Sequence, residues 1–300
     1  MMFGTGESFE YLHCGRCHCL QLLHPPRDYS KYYKSDYYSL RDDPSKQSFV
    51  FRFVQNLRAD QALKGTRLGR FLLDRFPNYA LDALSLNPIG KTARILDVGC
   101  GLGSLPYTLA EIGFTNVIGI DPFIEQDIAY GNGVHVRKAD LAQLSGSWDY
   151  VLLFDSFEHM PDPAEALRCI AGLLDSEGTC IMTIPTVSSY AWEHYGLHWI
   201  QLDAPRHYFL HSRESLDMLA RKSRLTIERI VCNSTDFQFW GSEQARKGIP
   251  LFSETSYAKN PSQSMFRKDD IKAFKQEAEK LNQEDRGDQI VVYLKNVRNG

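Results

Sequence analysis

Residues 93–121 read ARILDVGCGLGSLPYTLAEIGFTNVIGID: an apolar run, a glycine-rich turn, an amphipathic stretch and a second apolar run closed by a carboxylate. The first run, 94–98, is rich in aliphatic and β-branched residues and predicts a buried strand. Gly99, Gly101 and Gly103 then turn the chain into a helix on which Leu105, Leu109 and Ile112 share an apolar face. Glycine suits that turn because a Cβ would hold the backbone away from a ligand, and because the new helix starts with unpaired N–H groups. Asp121 closes the second strand 22 residues after Gly99, near the spacing at which an acid reaches a ribose. This order is that of a nucleotide-binding βαβ unit.

The spacing of the glycines separates two nucleotide families. A dinucleotide turn, GxGxxG, would put its third small residue at Ser104, a loose fit; the turn is GxGxG, preceded by Asp97. DVGCGLG with an acid ending the second strand resembles motif I of the class I S-adenosylmethionine-dependent methyltransferases. Two later segments extend the resemblance: VHVRKADL (134–141), a third strand ending at Asp140, and WDYVLLFDSFEH (148–159), a fourth ending near Asp155.

The resemblance implies an α/β, Rossmann-like fold with a mostly parallel seven-stranded sheet and helices on both faces. It further implies S-adenosylmethionine as the methyl donor and S-adenosylhomocysteine as its product. The turn Gly99, Cys100, Gly101 and Gly103 would hold the methionine portion, Asp121 with Pro122 the ribose, and Asp140 with Leu141 the adenine. Asp97 would brace the turn or receive the donor's amino group, and Asp155 would border the transfer site.

Three hundred residues with 43% hydrophobic content are enough for a large core. A net charge of −3 offers no field for a polyanion, so nucleic acid is not an expected partner and a small molecule is. The start, MMFGTGESFE, has neither a basic nor an apolar leader segment, and no run of eighteen apolar residues occurs. The expectation is a cytoplasmic protein without a membrane span. Of seven cysteines, an odd count, Cys100, Cys169, Cys180 and Cys232 fall inside predicted turns, helices or strands, which reads as reduced thiols.

Around the core the chain divides into three. Residues 1–45 form an extension with Cys14, Cys17 and Cys19 among His13, His18 and His24, then Tyr29, Tyr32, Tyr33, Tyr37 and Tyr38. CGRCHCLQLLHPP resembles the second half of a zinc ribbon found before some sugar-modifying methyltransferases, but a structural zinc site needs four ligands and one CxxC is present. We read it as a metal-free remnant and expect no metal. Residues 46–90 form a helical lead-in, with Phe49, Phe53 and Leu57, then Leu68, Leu72 and Phe76, at helical spacing and expected to cover the sheet. Residues 91–300 form the donor-binding domain. Within it Asp162, Pro163 and Glu165 open a helix carrying Leu167, Ile170 and Leu174 up to Gly178, and Ser212 caps another. Strands are expected at 226–232 and 289–294, separated by an insertion at 233–285. The insertion has a polar, mobile loop at 250–263 and a helix placing Ile271, Phe274, Ala278 and Leu281 on one face.

Catalytic candidates lie after the fourth and fifth strands. Glu158 and His159 stand in DSFEHMPDP, and histidine titrates in the range useful for removing a hydroxyl proton. In WEHYGLHWIQLDAPRH (192–207) the PRH ending with an upstream Trp is similar to methyltransferases associated with sugar, polysaccharide or lipid modification. His207 is the first choice as base or acceptor ligand, with Arg206 positioning a carboxylate or phosphate. An ordered lid packed by Trp199 and Tyr208 is the competing reading. The fourth strand ends in FDSF rather than a DPPY-type sequence, which favours an oxygen or carbon acceptor, small or related to glycans and lipids. The alternatives are a binding or scaffold protein that keeps the fold without chemistry, and an NAD-dependent oxidoreductase.

Overall fold

The computed structural model describes residues 6–32 and 43–297; Tyr33, Tyr37 and Tyr38 lie outside the described residues. A hairpin of β1 (Tyr11–His13) and β2 (Leu20–Leu22) precedes three helices, α1 (Phe49–Leu63), α2 (Arg67–Arg75) and α3 (Tyr79–Ser85). The alternating core follows: β3 (Arg94–Val98), α4 (Ser104–Glu111), β4 (Asn116–Ile120), β5 (Ile128–Ala129), β6 (His135–Arg137), β7 (Trp148–Phe154), α5 (Pro163–Leu173) and β8 (Leu174–Pro185). The chain ends with α6 (Tyr190–Tyr195), β9 (Phe209–Leu210), α7 (Arg213–Lys222), β10 (Leu225–Cys232), α8 (Phe237–Arg246), α9 (Lys268–Gln283) and β11 (Gln289–Asn296).

The main sheet runs β10-β11-β8-β7-β3-β4-β6-β5. From β6 to β8 every pairing is parallel, and β11 runs antiparallel between β8 and β10. These are the seven expected strands; the eighth, the two-residue β5, only folds back on the edge of β6. The chain leaves β3 toward β4 on one side and returns to β7 on the other. The strand order therefore reverses beside β3, where a crevice opens at the carboxyl ends of parallel strands.

Alternation along the strands sorts the core into two layers. Leu96, Val98, Val151 and Leu153 face α5 and α7, while Ile95, Leu152 and Ile181 face α3 and α4 with Leu84 and Leu109. Helix starts follow local chemistry: Asp162 accepts from the Glu165 N–H with Pro163 in the first turn, and Ser212 accepts from the Ser215 N–H.

Three expectations are corrected. The helix expected to reach Gly178 ends at Leu173, because Leu174 already pairs with Trp148 across the sheet. The 250–263 loop is not loosely held: Ser256 is fully buried, accepts from Gln244 Nε2 at 2.9 Å, and the Tyr257 N–H donates to Gln244 Oε1 at 2.8 Å. The stripe in the lead-in does not cover the sheet. Phe49, Phe53, Leu57, Leu68 and Phe76 are exposed, and α1 instead packs inward through Ala59 and Ala62. The sheet is covered there by Ala83 and Leu84 of α3.

Candidate active site

The glycine turn is fixed by sterics and by one carboxylate. Gly99, Gly101 and Gly103 all have positive φ. A Cβ on Gly99 would stand 2.6 Å from Ser156 Cβ, and one on Gly103 2.5 Å from Val136 Cγ2. The brace is Asp121, not Asp97: Asp121 accepts from the Gly101 N–H at 2.9 Å and from the Phe123 N–H at 2.8 Å. Asp97 is buried behind the turn and makes no hydrogen bond to it among the described residues. Burial, and then the charge of Asp121, pushes the Asp97 carboxyl up to about 7. Cys100 turns away from the crevice, its Sγ so close to Gly119 that a Cβ there would lie at 2.5 Å.

A cavity of about 580 Å³ opens from this turn, within the range of small-molecule sites. Gly99, Asp121, Pro122, Asp140, Leu141 and Asp155 are among its lining residues; Asp97, Cys100, Gly101 and Gly103 are not. Gln143 Oε1 accepts from the Asp140 N–H, setting Asp140 at the head of a short turn with Leu141 beside it. Tyr29 of the N-terminal extension stacks on Tyr208 with ring centroids 5.3 Å apart, and both reach the rim.

A second cavity of about 350 Å³ adjoins the first, and Asp155 and His159 line both. Asp155 sits at the end of β7 with φ of 51°, a strained conformation for a residue with a side chain. Thr183 Oγ1 and Gln289 Nε2 donate to its Oδ1 at 2.9 and 2.6 Å, holding the carboxylate at the seam. Glu158, Arg206 and His207 line only the second cavity.

The two imidazoles are oriented by backbone. His159 Nδ1 lies 2.9 Å from the Arg206 carbonyl and His207 Nδ1 2.8 Å from the Gln201 carbonyl. A carbonyl only accepts, so each Nδ1 carries the proton and each Nε2 the lone pair. Burial lowers His159 to about 4 and holds His207 well below its ordinary value, so both are neutral at pH 7. The rings lie 4.8 Å apart. Glu158, 2% exposed, has an Oε2 without a hydrogen-bond partner, and burial raises its carboxyl well above the usual range. Ligand atoms of Glu158, His159 and His207 lie within 4.8 Å of one another, so the same three groups could hold a divalent ion.

Arg206 already has a carboxylate within the chain: it forms a buried ion pair with Asp203, which sequence reading missed. Asp203 Oδ2 also lies 3.9 Å from His207 Nε2. The i, i+3 spacing of Asp203 and Arg206 was the available signal, though it carries weight only in helices. Within the same segment Trp199 is buried, its Nε1–H donating to Asp288 Oδ2 at 2.9 Å. Tyr79 of α3 and Phe237, Gln238, Leu251 and Phe252 of the insertion complete the second cavity, and none was singled out from sequence.

In the extension, the Cys14 N–H donates to the Cys19 carbonyl and the His18 N–H to the Cys14 carbonyl, forming a knuckle between β1 and β2. All seven cysteines are free thiols. β2 pairs with β9, which ties the knuckle to the lid segment. No described helix is long and apolar enough to cross a membrane.

A family model described as a methyltransferase domain matches residues 67–230. The ubiquinone biosynthesis O-methyltransferase of Azorhizobium caulinodans is 33% identical over 159 residues, which is 48% of this chain and 61% of that protein. The protein of the same name from Caulobacter sp. is 35% identical over 100 residues, covering 30% and 39%. The chain thus spans less than two thirds of the length of these relatives. Among solved structures, a complex of a Haloferax volcanii methyltransferase with the Trm112 activator gives a TM-score of 0.48 at 19% identity, covering 82% of this chain and 98% of that one. Magnesium protoporphyrin IX methyltransferase from Synechocystis, with bound SAH, gives 0.42 at 22% identity, covering 70% and 92%. With the family match running over more than half of its residues, this chain belongs to the methyltransferase domain family.

Proposed function

We propose that the chain transfers a methyl group from S-adenosylmethionine to an oxygen of a small-molecule acceptor. The observation that carries this reading is the meeting of two cavities at Asp155 and His159. The first suits the donor: Gly99 leaves room at the turn, Asp121 faces the ribose position, and Asp140 and Leu141 stand on the adenine side. Asp97, which precedes the turn by two residues and has no hydrogen-bond partner among the described residues, is the carboxylate for the donor's ammonium. Bound there, the donor supplies an activated methyl group.

The second cavity suits the acceptor. A hydroxyl seated between Glu158 and the imidazoles meets a neutral base beside a buried carboxyl, so it can be held and deprotonated at one place. His159 Nε2 takes the proton because His159 alone of the pair reaches the seam, and His207 orients the acceptor beside it. Arg206, neutralised by Asp203, shapes the wall. A cavity this rich in buried polar groups favours an acceptor bearing several hydroxyls, as a glycan-related molecule does. The relatives named O-methyltransferases support an oxygen acceptor.

The test is calorimetric titration with S-adenosylhomocysteine, followed by labelled S-adenosylmethionine with a metabolite extract and identification of the methylated product. Micromolar binding and a product methylated at oxygen are expected. Binding without turnover would turn the reading to a scaffold, and no binding would remove it.

A further inference from the structure

The lead-in helices are built inside out. Along α1 a 100° step per residue places Phe49, Val50, Phe53, Val54 and Leu57 on one broad face, and all five are exposed, Phe49 by 75%. The opposite face, with Ala59 and Ala62, meets the domain, and Arg52 on that side donates to Tyr107 Oη at 2.8 Å. α2 continues the surface. Gly69 lets it approach α1 so closely that a Cβ would stand 2.2 Å from the Gln61 carbonyl oxygen. This leaves Leu68 and Phe71 outward, Phe71 by 63%, with exposed Arg67 and Arg75 interleaved. An apolar patch of this extent on a folded surface marks an interaction site.

Its charge selects the partner. Residues 46–76 contain seven basic and two acidic residues, in a chain with more acids than bases overall. Neither Arg67 nor Arg75 has an acidic partner among the described residues. Joining this face to a second copy through a two-fold axis would set arginines against arginines. An anionic bilayer instead accepts the phenylalanines into its acyl boundary while the guanidinium groups reach the phosphates.

We propose that α1 and α2 form an in-plane docking surface for anionic phospholipid membranes, seating the protein on the bilayer without crossing it. The proposal does not depend on the proposed reaction.

Flotation of the full chain with vesicles of phosphatidylcholine alone, and of phosphatidylcholine containing phosphatidylglycerol, tests it. Binding to the second kind only, weakened by salt, is expected. Phe53→Glu with Phe71→Glu, and separately Arg67→Glu with Arg75→Glu, should each reduce the bound fraction at least tenfold. Because all four side chains are exposed, circular dichroism and S-adenosylhomocysteine binding should be unchanged. Failure to bind the anionic vesicles, or binding that survives both double substitutions, overturns the proposal. Sedimentation velocity showing a dimer that Phe53→Glu with Phe71→Glu dissociates would overturn it in favour of a second copy.

Discussion

If Asp97 receives the donor's ammonium as proposed, donor binding depends on pH in a way that can be worked out in advance. Its carboxyl, buried beside Asp121, titrates near about 7, some three units above an exposed aspartate. An ammonium seated against it favours the ionised form, so binding expels whatever proton it carries. With a pKa of about 7 the group is ~0.9 protonated at pH 6 and ~0.2 at pH 7.5, and those are the protons released per ligand. The apparent dissociation constant scales with 1 + 10^(pKa − pH), so S-adenosylhomocysteine should bind about eightfold more weakly at pH 6 than at pH 7.5, a difference of ~1.3 kcal/mol. Isothermal calorimetry in two buffers of different ionisation enthalpy reads proton release and affinity together. Asp121 shares the titration, so the measured step belongs to the pair; its two backbone hydrogen bonds keep it the more readily charged member.

Asp97→Asn separates binding from folding. A carboxyl whose folded pKa is raised costs the folded state stability as pH rises from about 4 toward about 7, where the unfolded chain ionises freely. The variant should therefore be more stable than the parent at pH 7.5 by at least ~1 kcal/mol, while binding donor tenfold or more weakly and without pH dependence. Zero proton release in the parent, or an Asp97→Asn protein that keeps the pH slope, would refute the reasoning and place the ammonium elsewhere.

Other outcomes follow from the same geometry. Asp121→Asn sets an amide NH₂ against a backbone N–H and breaks the brace, so S-adenosylhomocysteine affinity should fall at least tenfold by calorimetry with a lowered melting temperature; unchanged values would exclude Asp121 from the site. Because burial lowers His159 to about 4, the base form persists far below an ordinary histidine, and kcat at saturating donor and acceptor should stay flat down to about pH 5. An acidic limb between pH 6 and 7 would mean a solvated base. Gly103→Ala should cost ~1–3 kcal/mol in chemical denaturation through its positive φ and its clash with Val136, and adding Val136→Ala should recover only the clash.

The strand–turn–helix–strand core and its glycine turn were legible because they are local. The period of Arg94–Val98, three glycines in a five-residue turn and an acid at the end of the next strand express one βαβ unit, whose geometry is set within thirty residues. Asp121 was reached that way, whereas Asp140 came from the separate segment at 134–141. The division of labour between Asp97 and Asp121 was not, since which acid finds the backbone N–H groups depends on strand register.

The second cavity lay beyond the sequence. Glu158, His159 and His207 could be named from the motifs after the fourth and fifth strands, but their meeting relies on carbonyls of Gln201 and Arg206 and on walls lent by Tyr79, Phe237 and Leu251 from distant segments. Periodicity likewise predicted helices at 46–86 and could not tell which way their apolar faces turn. By itself the sequence determined the elements and the glycine turn, because backbone conformation and side-chain period are short-range properties. Tertiary structure decided the second cavity, the desolvation of its buried groups and the outward stripe, because burial and packing are set by residues far apart along the chain.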